Sequence, residues 1–263
     1  MKAIITAGGI GSRFLPLTKT MAKEMIPVAN RPVIDYVVEE AVNSNIEDIL
    51  IITGREKRSI EDYFDRAIGL ETILIEMGKK DYINKINKYL DINITYRRQS
   101  YPKGLGDAIL QAERFIGDDE FFAVLLGDTI TVAEPPQTEQ LINMCMSING
   151  RKSFLRKKSP VSVIAVETVS EQDIQKYGIV ETFANLEKEN TGKVYHIIEK
   201  PEPMQTQSRY GITGRYVFST EIFIYLHHHI SDGELQLQNT MKEMCQEDKI
   251  YAAICTGKRY DIG

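Results

Sequence analysis

At 263 residues, 43% of them hydrophobic, the chain can build one sizeable α/β core, with or without an appended lobe. A net charge of -5 excludes a general nucleic-acid binder, because no global basic field draws a polyanion, yet it leaves room for a small anionic substrate held by charges inside one cleft. The three cysteines, Cys145, Cys245 and Cys255, lie far apart without a CxxC spacing, which argues against a disulfide frame or thiolate metal site and for buried thiols of a reducing cytosol.

The first predicted element is a short apolar strand, Lys2–Thr6, running straight into the glycine-rich loop Ala7-Gly-Gly-Ile-Gly-Ser-Arg13. That start has no apolar run ending in small residues, and no later run is long enough for a bilayer. The expected location is therefore cytoplasmic, without membrane contact. An amphipathic helix follows over Val33–Asn43, with Ile34, Val37, Val38, Ala41 and Val42 at helical spacing. The β-branched run Asp48–Thr53 reads as the second strand. Helical segments are predicted over Arg58–Arg66 and Thr72–Tyr89, a third strand over Ile92–Arg97, and a helix over Gly106–Phe115. A fully apolar fourth strand, Phe121–Leu126, ends at Gly127-Asp128. This alternation predicts a parallel sheet with helices on both faces and ligands at the strands' carboxyl ends.

The second half changes character. Val161–Val166 reads as a strand, and Ile179–Phe183 and Val194–Glu199 flank the polar stretch Ala184–Gly192, suited to a hairpin loop. Tyr210–Phe218 is another strand and Leu237–Glu247 a helix. The later strands extend the same sheet in mixed fashion. One domain over 1–263 is expected, dividing near residue 130 into two functional lobes.

The glycine loop carries the chemistry. Glycines let backbone N–H groups close around phosphates, and Arg13, Lys19 and Lys23 follow closely enough to neutralise them. A dinucleotide fingerprint fails, because Phe14 stands where its third glycine belongs and the second strand ends in Thr53-Gly54-Arg55 without an acid. A Walker loop fails for want of a closing Gly-Lys-Ser/Thr. His227-His228-His229 cannot converge on one ion from regular structure. The Arg55–Arg58 cluster reads as a solvated helix start, and Met21, Met25 and Met144 as packing.

Ordered motifs then run through nearly the whole chain. They are Thr6-Ala-Gly-Gly-Ile-Gly-Ser-Arg-Phe-Leu-Pro, Lys23-Glu-Met-Ile-Pro-Val, Val38-Glu-Glu-Ala, Arg98-Gln99 with Gly104-Leu-Gly-Asp-Ala, Leu126-Gly-Asp128, Tyr177-Gly-Ile-Val, Glu199-Lys-Pro, Gly214-Arg-Tyr-Val-Phe, Gly233-Glu-Leu-Gln-Leu and Lys258-Arg-Tyr-Asp-Ile-Gly. Together they resemble the sugar-nucleotide pyrophosphorylases, and within them the bacterial-type UTP–glucose-1-phosphate uridylyltransferases. The resemblance implies a nucleotidyltransferase (GT-A-like, Rossmann-like) fold, a mixed but mainly parallel central sheet flanked by helices with a small sugar-binding lobe.

The resemblance also implies roles. Attack by a sugar phosphate oxygen on the α-phosphorus of UTP, in line with departing pyrophosphate, needs alignment and charge neutralisation. Arg13 takes the β/γ-phosphates and Lys23 the α-phosphate, as catalytic groups. Ala7, Gly8, Gly9, Gly11, Glu24, Gln99 and Gly104 form the nucleotide site, with Gln99 pairing to the uracil edge. Tyr177, Gly178, Glu199, Lys200 and Gly214 form the sugar-phosphate site. Asp128 and Asp261 share Mg²⁺, a hard cation that wants carboxylates. The partners implied are UTP and glucose 1-phosphate, with UDP-glucose and pyrophosphate as products and a homo-dimer or homo-tetramer as the assembly.

The chain departs from that pattern at Thr129, where the family has a second Asp, and at Gln238-Asn239, where it has Thr-Asp. Members continue past the position of Gly263 into helical structure, so Asp261 is expected on a poorly held end. Two rivals stay open at this point. One is a thymidylyltransferase using dTTP, against which Lys23-Glu24 and Arg98-Gln99 speak. The other is a nucleotide-sugar-binding regulatory paralogue of low turnover.

Overall fold

The computed structural model describes residues 1–153, 159–230 and 233–263. Its strands, in chain order, are β1 (Lys2–Ala7), β2 (Pro27–Val28), β3 (Arg31–Pro32), β4 (Asp48–Thr53), β5 (Asn93–Arg98), β6 (Phe121–Leu126), β7 (Thr129–Val132), β8 (Ser162–Thr168), β9 (Gly178–Thr182), β10 (Thr191–Glu199), β11 (Tyr210–Ser219), β12 (Ile250–Ile254) and β13 (Lys258–Asp261). A nine-stranded sheet takes the order β5–β4–β1–β6–β11–β8–β12–β10–β9. From β5 to β6 every pairing is parallel, whereas β11 runs antiparallel to both β6 and β8. The first residues of β11 also pair with β9, so the far strands curl into a lobe. The expected parallel half and mixed extension are both present.

Period-2 alternation explains why helices cover both faces. Ile4, Leu50, Ile52, Phe122 and Val124 face helices Leu105–Leu110, Ile222–His228 and Leu237–Gln246. Their neighbours Ala3, Ile5, Ile49, Ile51, Ala123 and Leu125 pack on Ile34, Val37, Val38 and Ala41 of helix Val33–Asn43. That helix and the strands Asp48–Thr53 and Phe121–Leu126 match their predicted bounds.

Two predicted helices are broken. The expected Thr72–Tyr89 helix is instead Ile68–Glu76 and Lys80–Ile86. Gly78 between them takes a left-handed φ of 69°, and Lys79 N donates to Leu74 O at 2.9 Å, a Schellman-type stop. The expected Gly106–Phe115 helix divides into Leu105–Leu110 and Glu113–Ile116, where a tight bond from Ala112 N to Ile109 O (2.9 Å) interrupts the ladder. Helix Gln137–Ser153 and strands β7, β12 and β13 were not predicted. The three cysteines are buried, and burial pushes each thiol up to about 12, so none is a thiolate near neutral pH.

One buried ion pair ties both halves. Arg215 on β11 is fully buried and meets Glu40 of helix Val33–Asn43, Nη2 to Oε2 at 2.8 Å and Nε to Oε1 at 3.1 Å. Glu40 also accepts from Thr131 and from the Thr138 hydroxyl (2.6 Å) and N–H (3.1 Å). Burial alone pushes the Glu40 carboxyl up. The Arg215 charge and these hydrogen bonds outweigh it and hold the group below the usual carboxylate range.

Removing one partner leaves an uncompensated buried charge. Arg215→Met and Glu40→Gln are each expected to cost about 3–5 kcal/mol in urea denaturation, with the double variant more stable than their sum predicts. A lowered carboxyl pKa stabilises the fold above its unfolded value of 4.5 and loses that contribution as pH falls through the folded value. The deficit of Glu40→Gln relative to the parent should therefore shrink as pH falls below 4.5.

Candidate active site

Because β5, β4, β1 and β6 are parallel, their carboxyl ends share one edge, and each delivers part of a cleft. The glycine loop leaves β1, Gln99 follows β5, and Asp128 follows β6. A cavity of about 290 Å³ lies there, lined by Gly8, Gly9, Lys23, Glu24, Gln99, Gly104 and Asp128, with Leu126 and Glu234. A second, of about 140 Å³, is lined by Tyr177, Gly178, Glu199, Gly214 and Asp261, with Gln238 and Arg259. Leu126 lines both, so the β6–β7 corner is their shared wall.

That corner is held from beneath. Arg215 Nη2 donates to Thr129 O at 2.7 Å and its Nη1 lies 3.4 Å from Leu126 O, bracketing Gly127 and Asp128. Gly127 N donates to Thr6 O at 2.9 Å, which docks the corner on β1. The Asp128 carboxylate accepts from the Lys23 ammonium. Lys23 itself lies beneath the glycine loop, and a Cβ on Gly9 would stand 3.3 Å from its Nζ.

Glu24 lines the first cavity, yet its carboxylate is already taken by an ion pair. Its side chain turns inward, fully buried, and both oxygens accept from Lys57 Nζ at 2.7 Å. Burial pushes the Glu24 carboxyl up and the Lys57 ammonium down, each opposed by the other's charge. Glu24 thus anchors the turn that presents Lys23. Lys57 is correspondingly buried, a correction to the solvated reading of the Arg55–Arg58 cluster.

The cations expected together are not together. Lys23 faces the cleft, while Arg13 and Lys19 are exposed on 3₁₀ turns, and Arg13 lines neither cavity. Ala7 is buried at the end of β1, and Gly11 has a left-handed φ of 71°, its carbonyl accepting from the Thr18 hydroxyl at 2.7 Å.

Gln99 is 7% exposed, and its Nε2 donates to Gly104 O (3.2 Å) and Asp107 Oδ2 (2.5 Å). Gly104 has a φ of 92°, and a Cβ there would sit 2.6 Å from Leu235 O. The loop ahead of helix Leu105–Leu110 is thereby sealed onto the 233–235 segment.

In the second cavity Glu199 pairs in register with Gly178, and Gln238 Nε2 donates to Glu199 Oε2 at 3.0 Å. Lys200 is not brought in. Its side chain is 61% exposed, with Nζ 3.8 Å from Glu199 Oε1, and its backbone has a left-handed φ of 43°. For a lysine that is a strained conformation of the kind found at functional turns. Arg259 was not foreseen as a site residue. It donates to Glu167 (2.6 Å) and the Tyr177 hydroxyl (2.5 Å), and its Nη1 lies 3.6 Å from Asp261.

Asp261 is better held than its position suggested. It sits in β13, paired with Thr129 of β7, one residue from Asp128. Asp128 lines the first cavity and Asp261 the second, and a carboxylate is the ligand type that a hard divalent cation takes. Among the described residues no group of three or more His, Cys, Asp or Glu side chains converges on one point. His227 pairs with Glu113, and His228 and His229 with Glu243, away from this cleft. Among the described residues no helix is long and apolar enough to cross a membrane.

Comparison with known proteins gives the family of the chain. The family model for nucleotidyl transferases matches residues 2–263. The UTP–glucose-1-phosphate uridylyltransferase YngB of Bacillus subtilis is 45% identical, over all of this chain and 84% of that protein. A second B. subtilis UTP–glucose-1-phosphate uridylyltransferase is 42% identical, over all of this chain and 86% of that protein. Among solved structures, a UTP-bound enzyme from Acinetobacter baumannii superimposes with TM-score 0.87 at 32% identity, covering 99% of this chain and 88% of that one. A UDP-glucose pyrophosphorylase complexed with UDP-glucose gives 0.83 at 32%, covering 99% and 92%.

Gly214 sits in the β11 register shift with φ 82°, and a Cβ there would stand 2.7 Å from Leu126 Cδ1. Gly214→Ala should therefore strain the shared wall, costing about 1–3 kcal/mol in thermal denaturation.

Proposed function

The chain belongs to the nucleotidyl transferase family, and from that premise we infer that it transfers a uridylyl group from UTP to glucose 1-phosphate, giving UDP-glucose and pyrophosphate. The observation that carries this reading is the Lys23–Asp128 pair on the wall between two cavities. One cavity is bounded by the glycine loop and Gln99, the other by Glu199 and Gln238. Two substrates bound side by side meet at that wall.

The nucleotide occupies the cavity of Gly8, Gly9, Gln99 and Gly104, and the hexose lies over Gly178 with its hydroxyls toward Glu199. A phosphate oxygen of glucose 1-phosphate attacks the α-phosphorus of UTP. A new P–O bond forms as the bond from the α-phosphorus to the bridging oxygen breaks, and pyrophosphate leaves with that electron pair. Lys23 exchanges its contact with Asp128 for the α-phosphate, where charge accumulates in the transition state. Arg13 comes in with the loop to the β/γ-phosphates, and Lys200 turns to the sugar phosphate. Asp128 and Asp261 would hold Mg²⁺, which supplies neutralisation of phosphate charge. A homo-oligomeric, cytoplasmic enzyme accords with this role.

A pyrophosphate-release assay with glucose 1-phosphate and each of UTP, dTTP, ATP and CTP tests the reading, and UTP should give the highest kcat/KM. Equal use of dTTP would favour the thymidylyl reading, and no release with any nucleotide would favour a binding protein. Lys23→Ala should lower kcat by about 10²–10³-fold with the fold intact, since its charge acts mainly in the transition state. Asp128→Asn should lower turnover by a similar factor of about 10² or more, with the loss deepest at limiting Mg²⁺. Lys200→Ala should raise KM for glucose 1-phosphate more than KM for UTP, as steady-state kinetics in both substrates will show.

A further inference from the structure

We propose that Asp107 is the positioning residue that sets base choice, by locking which face of the Gln99 amide is presented to the nucleobase. A glutamine amide is chemically two-faced, because rotation by half a turn about its last bond exchanges a donor for an acceptor at nearly constant shape. A glutamine alone in a base site therefore reads uracil and cytosine almost equally well. Gln99 is not alone. Its Nε2 meets two acceptors, Gly104 O at 3.2 Å and Asp107 Oδ2 at 2.5 Å, and the reverse orientation would set Oε1 against a carboxylate and a carbonyl. Both Nε2 hydrogens are thus taken, and Oε1 is left facing Gly8 on the cavity wall.

Asp107 is itself held. It lies in the first turn of helix Leu105–Leu110, and Gln111 Nε2 reaches its other oxygen at 3.5 Å. The chain of contacts runs from Gln111 through Asp107 to Gln99. Asp107 lines neither the cavity that Gln99 and Gly8 line nor the one beyond the shared wall, so it acts through Gln99 rather than on the ligand.

The fixed acceptor has a definite consequence. Uracil and thymine carry N3–H, a donor that satisfies Oε1, whereas cytosine has an N3 lone pair that faces it acceptor to acceptor. The inference rests on the uridylyl reading and adds the residue that enforces it.

The experiment compares kcat/KM for UTP and CTP, at saturating glucose 1-phosphate, in the parent, Asp107→Ala, Asp107→Leu and Asp107→Asn. Without the carboxylate Gln99 can turn, so the UTP/CTP ratio should fall about tenfold or more in Asp107→Ala and Asp107→Leu, partly through a rise for CTP. Asp107→Asn keeps an oxygen able to accept from Nε2 and should restore much of the ratio. A merely structural role lowers both nucleotides in parallel and leaves the ratio where it was, and that result would overturn the proposal. Circular dichroism identifies a variant that does not fold, and the isosteric Asp107→Leu carries the same comparison should Asp107→Ala fail. If the parent prefers UTP while the folded variants keep its full ratio, only the role of Asp107 falls. If the parent makes no use of UTP, the uridylyl reading falls and this inference with it.

Discussion

The Glu40–Arg215 ion pair is the constraint on which the rest of the structure depends. Two charges removed from water carry a desolvation cost of several kcal/mol each, recovered only when every remaining polar atom finds a partner. Here the partners are structural junctions. Glu40 collects Thr131 on β7 and Thr138 at the start of helix Gln137–Ser153. Arg215 collects carbonyls from Leu126, Thr129 and Gly214. Satisfying one buried pair thus draws together helix Val33–Asn43, the β6–β7 corner, the β11 bulge and the following helix. An apolar pair of equal volume could fill the space, but it could not hold two carbonyls on either side of Asp128. The pair contributes position more than net stability.

Position matters because the cleft above is built from charges of alternating sign. Lys23 and Glu24 are neighbours on one short turn, yet one ammonium meets Asp128 at the cleft and the other's carboxylate meets Lys57 in the interior. The inner pair is nearly dry, so its attraction is screened little and holds the turn firmly. The outer pair keeps some solvent access, with side chains 15% and 19% exposed, which makes it the exchangeable one. The Lys23 ammonium is thus set at the cleft by a turn that is anchored from behind.

How much of this was legible in the sequence follows from the range of the interactions involved. Helix Val33–Asn43 and strands Asp48–Thr53 and Phe121–Leu126 carry their own periodicity or an unbroken apolar run, so local pattern sufficed. Gly78 could have been read as a helix stop, and the apolar spacing of Leu141, Met144, Cys145 and Ile148 pointed to the long helix that went unpredicted. β7 and β13 are four residues each and exist through mutual pairing over more than a hundred residues of chain, for which no local signal exists. The same limit governed the site. The family resemblance named Gln99, Glu199, Gly214, Asp128 and Asp261, and each of them lines one of the two cavities. It could not tell that Glu24 would turn inward to Lys57, a partner 33 residues away, or that Arg13 would stand outside both cavities.

Arg259 shows how the second cavity is joined to the first. Its guanidinium lies 5.0 Å from the Tyr177 ring centre, bonds the Tyr177 hydroxyl, and takes Glu167 on β8 as counter-ion. It belongs to β13, the same short strand that pairs Asp261 with Thr129 of β7. A planar, always-charged fork can serve a stacked ring, a hydroxyl and a carboxylate at once, which a lysine ammonium could not. Strand β13 therefore links Glu167 and Tyr177 to the β6–β7 corner. Two arginines thus fix the corner between the cavities. Arg215 holds the corner from below, and Arg259 ties the lobe to it from the side.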